Sequence, residues 1–416
     1  MRILVVTWGW RSHLNHLVPH AWALRAAGHD VRVACPADLT EAVTGVGLAA
    51  VPVGARLDFA TVATGQIARI HDDRGCGPGS GPGSGPGSGP GSGPGSGSAG
   101  AAGGSLPRSV TVGGVAHTYA ATMLPDLVAF GRWFRPGLVL HEQNNLGAAV
   151  AAAALGVPSV RVLWGPDFAL PIDRDAVLGP LAEPYGVAPP EVPLTGTLTL
   201  DPCPPPLQVP LAGPHRPVRF VPYNGAAVLP RWLREPGDRP RVALSHGTLM
   251  PRLGFAAFDL RTTVAALADL DAEFVLTVEP EPGQVLPPNV RAAPGLAHHL
   301  LLPTCAAVVH QGGAGTTMTA VACGVPQLVL PRVGDQHFNA ERVVAAGVGA
   351  ALPAERARPD AIRDAVAGLI GDPLRRAAAT RLRRRNDARP APAEVAGHLT
   401  RLAGTAPVRH LERAHD

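Results

Sequence analysis

The chain of 416 residues is long enough for two domains of ordinary size, each with a hydrophobic core of its own. A content of 46% hydrophobic residues indicates a globular protein, and a net charge of +4 is too small for this length to indicate nucleic-acid binding. All 36 basic residues are arginines, which we attribute to a GC-rich genome. They are scattered except for the cluster Arg381 to Arg385, which we interpret as the exposed face of a helix.

The five cysteines are far apart, and neither they nor the histidines show the spacing of a metal site. An odd number of cysteines without a disulfide framework is typical of the reducing cytoplasm, where we expect the protein to act. The N-terminus starts with an apolar strand instead of a signal peptide, and no apolar run is long enough to span a bilayer. Neither a metal nor a resident cofactor is expected.

The first half of the chain alternates apolar runs with helical stretches. Strands are predicted at residues 3–6, 31–33, 51–53, 138–141 and 160–163, and helices at residues 14–27, 39–44, 123–134 and 146–155. This alternation is typical of a doubly wound parallel sheet. Residues 77–98 interrupt it with five copies of Gly-Pro-Gly-Ser and a final Gly-Ser. For them we predict a disordered surface loop, of natural or engineered origin.

The second half repeats the alternation after a proline-rich stretch at residues 202–217, which predicts a connection between domains. Strands are predicted at residues 219–221, 242–245, 274–278, 306–309 and 327–330, and helices include residues 255–269 and 339–346. The predicted fold class is therefore α/β, with two Rossmann-like doubly wound parallel-sheet domains that face each other across a cleft. The predicted boundaries are residues 1–207, residues 208–390, and a C-terminal helix with its tail at residues 391–416.

A glycine-rich turn at residues 309–317 is the strongest functional signal. It follows an apolar strand and precedes a predicted helix, an arrangement that presents free backbone N–H groups to an anion. Its glycines let a phosphate approach the backbone, while His310, Thr316 and Thr317 add donors. Asp335 and Gln336 follow the next predicted strand and are suited to bind sugar hydroxyls. A phosphate site beside a sugar site predicts a nucleotide sugar as ligand.

Other strand ends carry further candidate groups. His13 follows the first strand and is either a general base or a cap of the next helix. Glu142, at a later strand end, either orients His13, binds a substrate hydroxyl, or is a plain surface residue. Ser245 and Thr248 lie in a small polar turn and are candidate donors to phosphate. The first turn lacks the glycine pattern of a dinucleotide-binding dehydrogenase.

These motifs resemble those of family 1 glycosyltransferases of GT-B fold. The resemblance to the donor signature is carried by the segments Val309 to Thr317, Gly324 to Gln327 and Asp335 to Ala340. The segments Ser12 to His29, Leu163 to Asp167 and Val221 to Gly225, with Trp232 and Leu233, resemble the branch that acts on actinomycete polyketides. Together the matches cover most of the chain outside the Gly-Pro-Gly-Ser tract. That branch transfers deoxysugars from TDP-sugars to macrolide, anthracycline and related aglycones.

The resemblance implies an inverting, metal-independent transfer of a sugar to an aglycone hydroxyl. His13 matches the general base, and Glu142 matches an acidic residue near the acceptor; both are assigned as catalytic. The implied donor-binding residues, in the C-terminal domain, are Ser245, Gly247, Thr248, Leu296, His310, Gly313, Gly315, Thr316, Thr317, Asp335 and Gln336. The implied acceptor-binding residues, in the N-terminal domain, are Trp10, Ser12, His16 and Trp164.

The chain departs from the family pattern at several positions. Gln311 stands where many relatives have histidine or asparagine, Asn15 and His16 are unusual near the acceptor, and His20 replaces a leucine. No aromatic residue precedes Leu296 to stack on the nucleobase. Relatives that need an activator protein usually carry extra N-terminal helices, whereas this chain starts at its first strand, so no activator is expected. A homodimer is one possible state, since family members are often dimers, and the sequence leaves the oligomeric state open.

Two alternative functions remain open from the sequence. In a C-glycosyltransferase, His13 or Glu142 would deprotonate a phenol, and carbon would attack the sugar. A nucleotide-sugar-binding protein or an epimerase of the same fold would act without any acceptor. The residues do not distinguish TDP from UDP, and they identify neither the sugar nor the aglycone.

Overall fold

A computed structural model describes residues 1–57, 61–62, 110–168, 173–235, 237–247, 258–332 and 334–405. The predicted disordered loop at residues 77–98 and the candidate donor residue Thr248 lie outside the described residues, as does the tail beyond residue 405.

The first sheet contains seven strands, all parallel, in the order β3-β2-β1-β4-β5-β6-β7. The strands are β1 (Arg2–Val6), β2 (Asp30–Cys35), β3 (Ala49–Pro52), β4 (Leu138–Glu142), β5 (Ser159–Val162), β6 (Leu198–Asp201) and β7 (His215–Pro217). The described helices of this domain are α1 (Arg11–Ala26), α2 (Thr40–Gly45), α3 (Val110–Phe134), α4 (Leu146–Leu155) and α5 (Arg174–Ala182). Strands β4, β5 and β6 are buried along their whole length, and their buried residues include polar side chains such as Arg161 and Thr199.

The second sheet contains six parallel strands in the order β10-β9-β8-β11-β12-β13. The strands are β8 (Arg241–Leu244), β9 (Glu273–Leu276), β10 (Val290–Ala292), β11 (Ala307–His310), β12 (Gln327–Val329) and β13 (Gly349–Ala351). The described helices are α6 (Leu260–Ala266), α7 (His298–Leu301), α8 (Ala314–Cys323), α9 (Asp335–Ala345), α10 (Pro359–Gly371), α11 (Pro373–Asp387) and α12 (Pro392–Thr405). The predicted fold class, two doubly wound α/β sheets, is confirmed.

The chain reverses its direction of winding at one place in each sheet. In the first sheet β1 lies between β2 and β4, and in the second sheet β8 lies between β9 and β11. Ligands of doubly wound sheets bind outside the carboxyl ends of the strands at such a switch point. The register places Val6 beside His141 and Leu244 beside Val309, so the ends of β1 and β4, and of β8 and β11, lie side by side.

The predicted strand at residues 219–221 is wrong. Strand β7 forms earlier, at His215–Pro217, and joins the first sheet, which therefore extends beyond the domain boundary predicted at residue 207. The backbone of Phe220 pairs with a side chain instead of a strand. Its N–H donates to Asn386 Oδ1 at 2.9 Å, and its carbonyl accepts from Asn386 Nδ2 at 3.1 Å. Apolar periodicity cannot distinguish this pairing from a strand.

Asn386 lies close to the element that connects the two halves of the molecule, the helix α12. It lies on α11, which ends just before α12, and α12 returns to the first domain to pack on α1. Val395, Ala396 and Leu399 of α12 belong to the same buried cluster as residues of α1 and β1. The segment at Phe220 is thus held in place by the last part of the chain.

Replacing Asn386 with alanine should lower the free energy of unfolding by about 2–4 kcal/mol, because two buried backbone groups of Phe220 would lose their partner. Thermal unfolding followed by circular dichroism measures the change. Asp387→Ala is the matched control, since its side chain is 57% exposed and lies 4.0 Å from Arg383. Loss of this exposed pair should cost less than about 0.5 kcal/mol. Equal melting temperatures for the two variants would refute the role given to Asn386.

Candidate functional site

His13 lies in the first turn of α1, which begins at Arg11, and not in the loop before the helix where the sequence placed it. The residue at the helix cap is Trp10, so the interpretation of His13 as a cap is wrong. Its Nδ1 atom is 2.5 Å from Glu142 Oε2. The imidazole lies at ring-centroid distances of 4.9 Å from Trp8 and 4.5 Å from Trp164, and the His13 side chain remains 21% exposed.

Glu142 is fully buried at the end of β4, so the interpretation as a surface residue is wrong. Its Oε1 accepts hydrogen bonds from the backbone N–H of Trp8 at 2.7 Å and from Thr7 Oγ1 at 3.1 Å. Burial raises the pKa of this carboxyl, while His13 and the two donors act in the opposite direction. When the carboxyl is ionised, Nδ1 of His13 donates to it, which leaves the lone pair of Nε2 available to take a proton.

The loop that carries Trp164 is fixed by an ion pair and by hydrogen bonds from an amide side chain. Arg161 on β5 pairs with Asp167 at 2.8 Å, and both side chains are largely buried. Gln143, directly after Glu142, donates from Nε2 to Asp167 Oδ1 at 3.1 Å. The loop therefore holds Trp164 against His13. Neither Arg161 nor Gln143 lies in a recognisable motif, so no pattern in the sequence indicates their role.

The glycine-rich turn is shaped by His310 at the end of β11. Burial lowers the pKa of His310 to about 3, so its imidazole is neutral. Its Nδ1 accepts from the N–H of Gly312 at 3.1 Å, and its Nε2 lies 3.0 Å from Gln327 Oε1. Both ring nitrogens are thus engaged within the protein. Donation from this side chain to a phosphate stays a prediction, and its role in the structure is to hold the turn.

Gly312 has a φ of +94°, and a Cβ atom there would lie 2.8 Å from Val329 and 2.9 Å from the carbonyl oxygen of Gln336. Both constraints require glycine. Helix α8 then begins at Ala314 with Gly313 as its cap. The hydroxyl and N–H of Thr317 both donate to the carbonyl of Gly313, at 3.1 Å and 3.0 Å. The N–H groups before Thr317, including those of Gly315 and Thr316, have no acceptor within the helix and suit an anion.

A second loop lies against this turn at the end of β8. Ser245 Oγ accepts from the N–H of Gly247 at 3.1 Å, and Gly247 has a φ of +71°. The amide of Gln311 occupies the space between the two loops, where it would collide with a Cβ atom on Gly247 and lie 2.7 Å from one on Gly313. Gln311 is 6% exposed, and its Oε1 is buried with no hydrogen-bond partner among the described residues.

Asp335 is the first residue of α9, and burial raises the pKa of its carboxyl. The charge of His13 acts in the opposite direction, which indicates that the two side chains lie near each other. Asn339 joins Asp335 to the glycine-rich turn: its Nδ2 lies 3.2 Å from Asp335 Oδ2 and 2.8 Å from the carbonyl of Gly312. The predicted sugar-binding residue Gln336 accepts from the N–H of Arg332 at 3.0 Å.

The remaining predicted residues are more dispersed. Trp10 is buried at the start of α1, and Ser12 is partly buried in its first turn. His16, one turn after His13, is partly buried and directs its ring edge toward Gly315, with Nε2 3.7 Å from the Cβ position of that residue. Leu296 is partly buried, and its N–H donates to the carbonyl of Ala293 at 3.1 Å.

Within the ranges given above, no three His, Cys, Asp or Glu side chains gather in a way that would hold a metal ion. The same part of the chain contains no helix with the length and apolar character needed to cross a membrane.

Comparison with known proteins places these features in one family. The N-terminal domain described as erythromycin biosynthesis protein CIII-like matches residues 22–74 and 109–247, and the corresponding C-terminal domain matches residues 261–402. TDP-daunosamine transferase DnrS of Streptomyces peucetius is 38% identical, with 97% of this chain and 97% of the relative covered.

Solved structures show the same architecture. The crystal structure of glycosyltransferase VinC in complex with dTDP matches with a TM-score of 0.76 and 34% identity, over 97% of this chain and all of that one (100%). Spinosyn rhamnosyltransferase SpnG complexed with spinosyn aglycone matches with a TM-score of 0.75 and 30% identity, over 96% of this chain and 100% of that one. With the two parallel sheets described above, these likenesses confirm the predicted GT-B fold.

Acid should destabilise the protein, because burial lowers the pKa of His20, His141 and His310 from 6.5 to about 4, 4 and 3. Below pH 6.5 the unfolded chain therefore binds more protons than the native state, and stability falls as the pH falls. Each histidine contributes about 1.4 kcal/mol per pH unit between its unfolded and folded pKa. Urea unfolding at pH 7 and pH 5 measures the loss, and His20→Leu should reduce the slope by one proton. A free energy of unfolding that is equal at both pH values would contradict neutral burial.

Proposed function

Since this chain belongs to the erythromycin biosynthesis protein CIII-like family and is a glycosyltransferase, we propose that it transfers a deoxysugar from TDP to a hydroxyl group of a polyketide aglycone. One observation carries the proposal. A histidine oriented by a buried carboxylate lies near enough to Asp335 for its charge to act on that carboxyl, and His16, one turn further along the same helix, lies against Gly315 at the glycine-rich helix start.

His13 acts as the general base. Its Nε2 removes the proton of the acceptor hydroxyl, and the oxygen attacks the anomeric carbon of the sugar as the bond from that carbon to the diphosphate oxygen breaks. The electron pair of the broken bond leaves with TDP, and His13 carries the proton. Glu142 stabilises the imidazolium that forms, because its buried carboxylate accepts from Nδ1 at short range.

The helix start at Gly313 to Thr317 stabilises the leaving group. Negative charge develops on the diphosphate as the bond breaks, and free N–H groups at a helix N-terminus are already oriented toward it. Such preorganised donors contribute about 10²–10³ in rate each. The transfer is therefore proposed to be inverting and metal-independent, with Asp335 and Gln336 binding sugar hydroxyls.

The choice of substrates rests on the relatives. DnrS is described as a TDP-daunosamine transferase, VinC was solved with dTDP, and SpnG was solved with its spinosyn aglycone. The N-terminal domain carries the aromatic surroundings of His13, Trp8 and Trp164, which suit a hydrophobic aglycone. The C-terminal domain carries the anion site.

The alternative functions give different products. A C-glycosyltransferase would yield a product that resists acid hydrolysis, whereas the O-glycoside proposed here is cleaved. An epimerase would convert the nucleotide sugar in the absence of an aglycone. A binding protein would tolerate loss of His13 without change in its affinity for the nucleotide sugar.

His13→Ala should lower kcat by about 10²–10⁴, because the acceptor hydroxyl loses its base. Steady-state transfer of a TDP-deoxysugar to a polyketide aglycone, followed by chromatography, measures the change. His215→Ala, on the exposed strand β7, is the control and should keep full activity. A transfer rate of His13→Ala equal to that of the wild type would exclude His13 as the base.

Glu142→Gln should lower kcat and raise the melting temperature at neutral pH. The raised pKa of Glu142 means that ionising it in the folded protein costs stability once the pH exceeds its unfolded value of 4.5. Glutamine removes that buried charge and still accepts from the N–H of Trp8, but it no longer stabilises imidazolium at His13. If activity and stability both stay at the wild-type level, Glu142 does not act on His13.

A thermal-shift comparison tests the nucleotide. A ligand present at 100 times its Kd stabilises the native state by about 2.7 kcal/mol. We expect TDP to raise the melting temperature more than UDP at equal concentration. A larger shift with UDP would overturn the TDP assignment while leaving the glycosyltransferase itself intact.

A further inference from the structure

The imidazole of His16 is placed against the anion site of the opposite domain. Its Nε2 and Cε1 atoms are the atoms nearest to Gly315, at 3.7 Å and 3.9 Å from the Cβ position of that residue. Gly315 lies in the first turn of α8, where the backbone N–H groups have no acceptor within the helix. A side chain of the N-terminal domain thus reaches the start of a helix in the C-terminal domain.

The ring is held in this orientation from both sides. Trp164 lies at a ring-centroid distance of 6.5 Å and Phe220 at 5.9 Å. The backbone of Phe220 is itself held by two hydrogen bonds with the side chain of Asn386. Neither ring nitrogen of His16 has a hydrogen bond to another described residue, so the ring is positioned but not engaged.

The ring is also neutral near pH 7. Burial, followed by the charges of His13 and His20, lowers the pKa of His16 to about 3. A neutral imidazole with one N–H retains a donor for an anion. Because Nε2 is the nitrogen directed at the helix start, a proton there points to the place where an anion would accept from the N–H groups of α8.

Gln311 independently marks this place as a ligand site. Its carboxamide is 6% exposed, lies against Gly313 at the cap of α8, and has a buried Oε1 with no partner among the described residues. A buried amide that lacks a partner costs free energy unless a ligand or water completes its hydrogen bonds. Two polar side chains, one from each domain, therefore converge on the start of the same helix.

We propose that His16 binds the diphosphate of the nucleotide sugar, donating from Nε2 to a phosphate oxygen held at the start of α8, so that it belongs to the donor site and not to the acceptor site. The inference rests on the proposed function. Its consequence is that the N-terminal domain contributes a donor to the leaving group, and that the anion site is complete only when His16 and α8 lie together. Binding of the diphosphate then favours this closed arrangement.

The test uses full-length protein and TDP as the probe in isothermal titration calorimetry. His16→Phe keeps an aromatic ring between Trp164 and Phe220 but removes the donor, and should weaken TDP binding about 10- to 100-fold, the range for a hydrogen bond to a charged group. His16→Gln restores a donor and should recover most of the affinity. His20→Phe, the same substitution one turn further along α1, should leave it unchanged.

Kinetics separate the donor role from an acceptor role. His16→Phe should raise the KM of the TDP-sugar and leave the KM of the aglycone within about twofold. If TDP affinity is unchanged in His16→Phe and the aglycone KM rises, His16 is an acceptor residue and the inference is wrong. If His16→Gln binds TDP as weakly as His16→Phe, a hydrogen-bond donor at this position does not account for the affinity, and the inference is also wrong. Wild-type protein that binds no TDP would instead overturn the proposed function itself.

Discussion

The parallel pairing of β1 with β4 and of β8 with β11 is the constraint on which the site depends. Parallel strands bring their carboxyl ends to one edge, and the change of winding at these pairs leaves that edge uncovered. Glu142 ends β4, Ser245 follows β8, and His310 ends β11. The positions of Glu142 and of the glycine-rich turn are therefore set by strand order in two separate sheets.

The buried carboxylate of Glu142 lowers the stability of the folded protein at neutral pH. Burial raises the pKa of this carboxyl, although two donors and the imidazole of His13 surround it. Because the charge is isolated from water, its effect on His13 is stronger than that of a surface carboxylate. Stability is reduced at the place where the proposed reaction needs an oriented base, which is common for active sites.

In the proposed anion site, side chains hold the turn and the backbone is left to bind the ligand. His310 and Asn339 form hydrogen bonds with the backbone of Gly312, and Gln327 forms one with His310. These bonds fix Gly312 in a conformation that only glycine adopts easily. The N–H groups of α8 are thereby left for the ligand. The side chains that converge on the same place, Gln311 and His16, come from different domains, so the closeness of the domains affects how completely the anion is surrounded.

The sequence alone determined the α/β class, the two sheets, the glycine-rich turn and the candidate pair His13 and Glu142, because strands, helix starts and glycine turns are local and leave periodic or compositional signals. The sequence did not determine that β7 forms at residues 215–217, and it predicted a strand at residues 219–221 instead. At Phe220 the backbone is hydrogen-bonded by the distant Asn386, and the apolar pattern of such a segment is the same as that of a strand. Only the tertiary structure decided that Glu142 is buried and bonded to His13, residues separated by 129 positions, and that His16 lies against Gly315. These contacts join elements far apart in the chain, and their geometry is set by sheet order and domain packing, which no local pattern records.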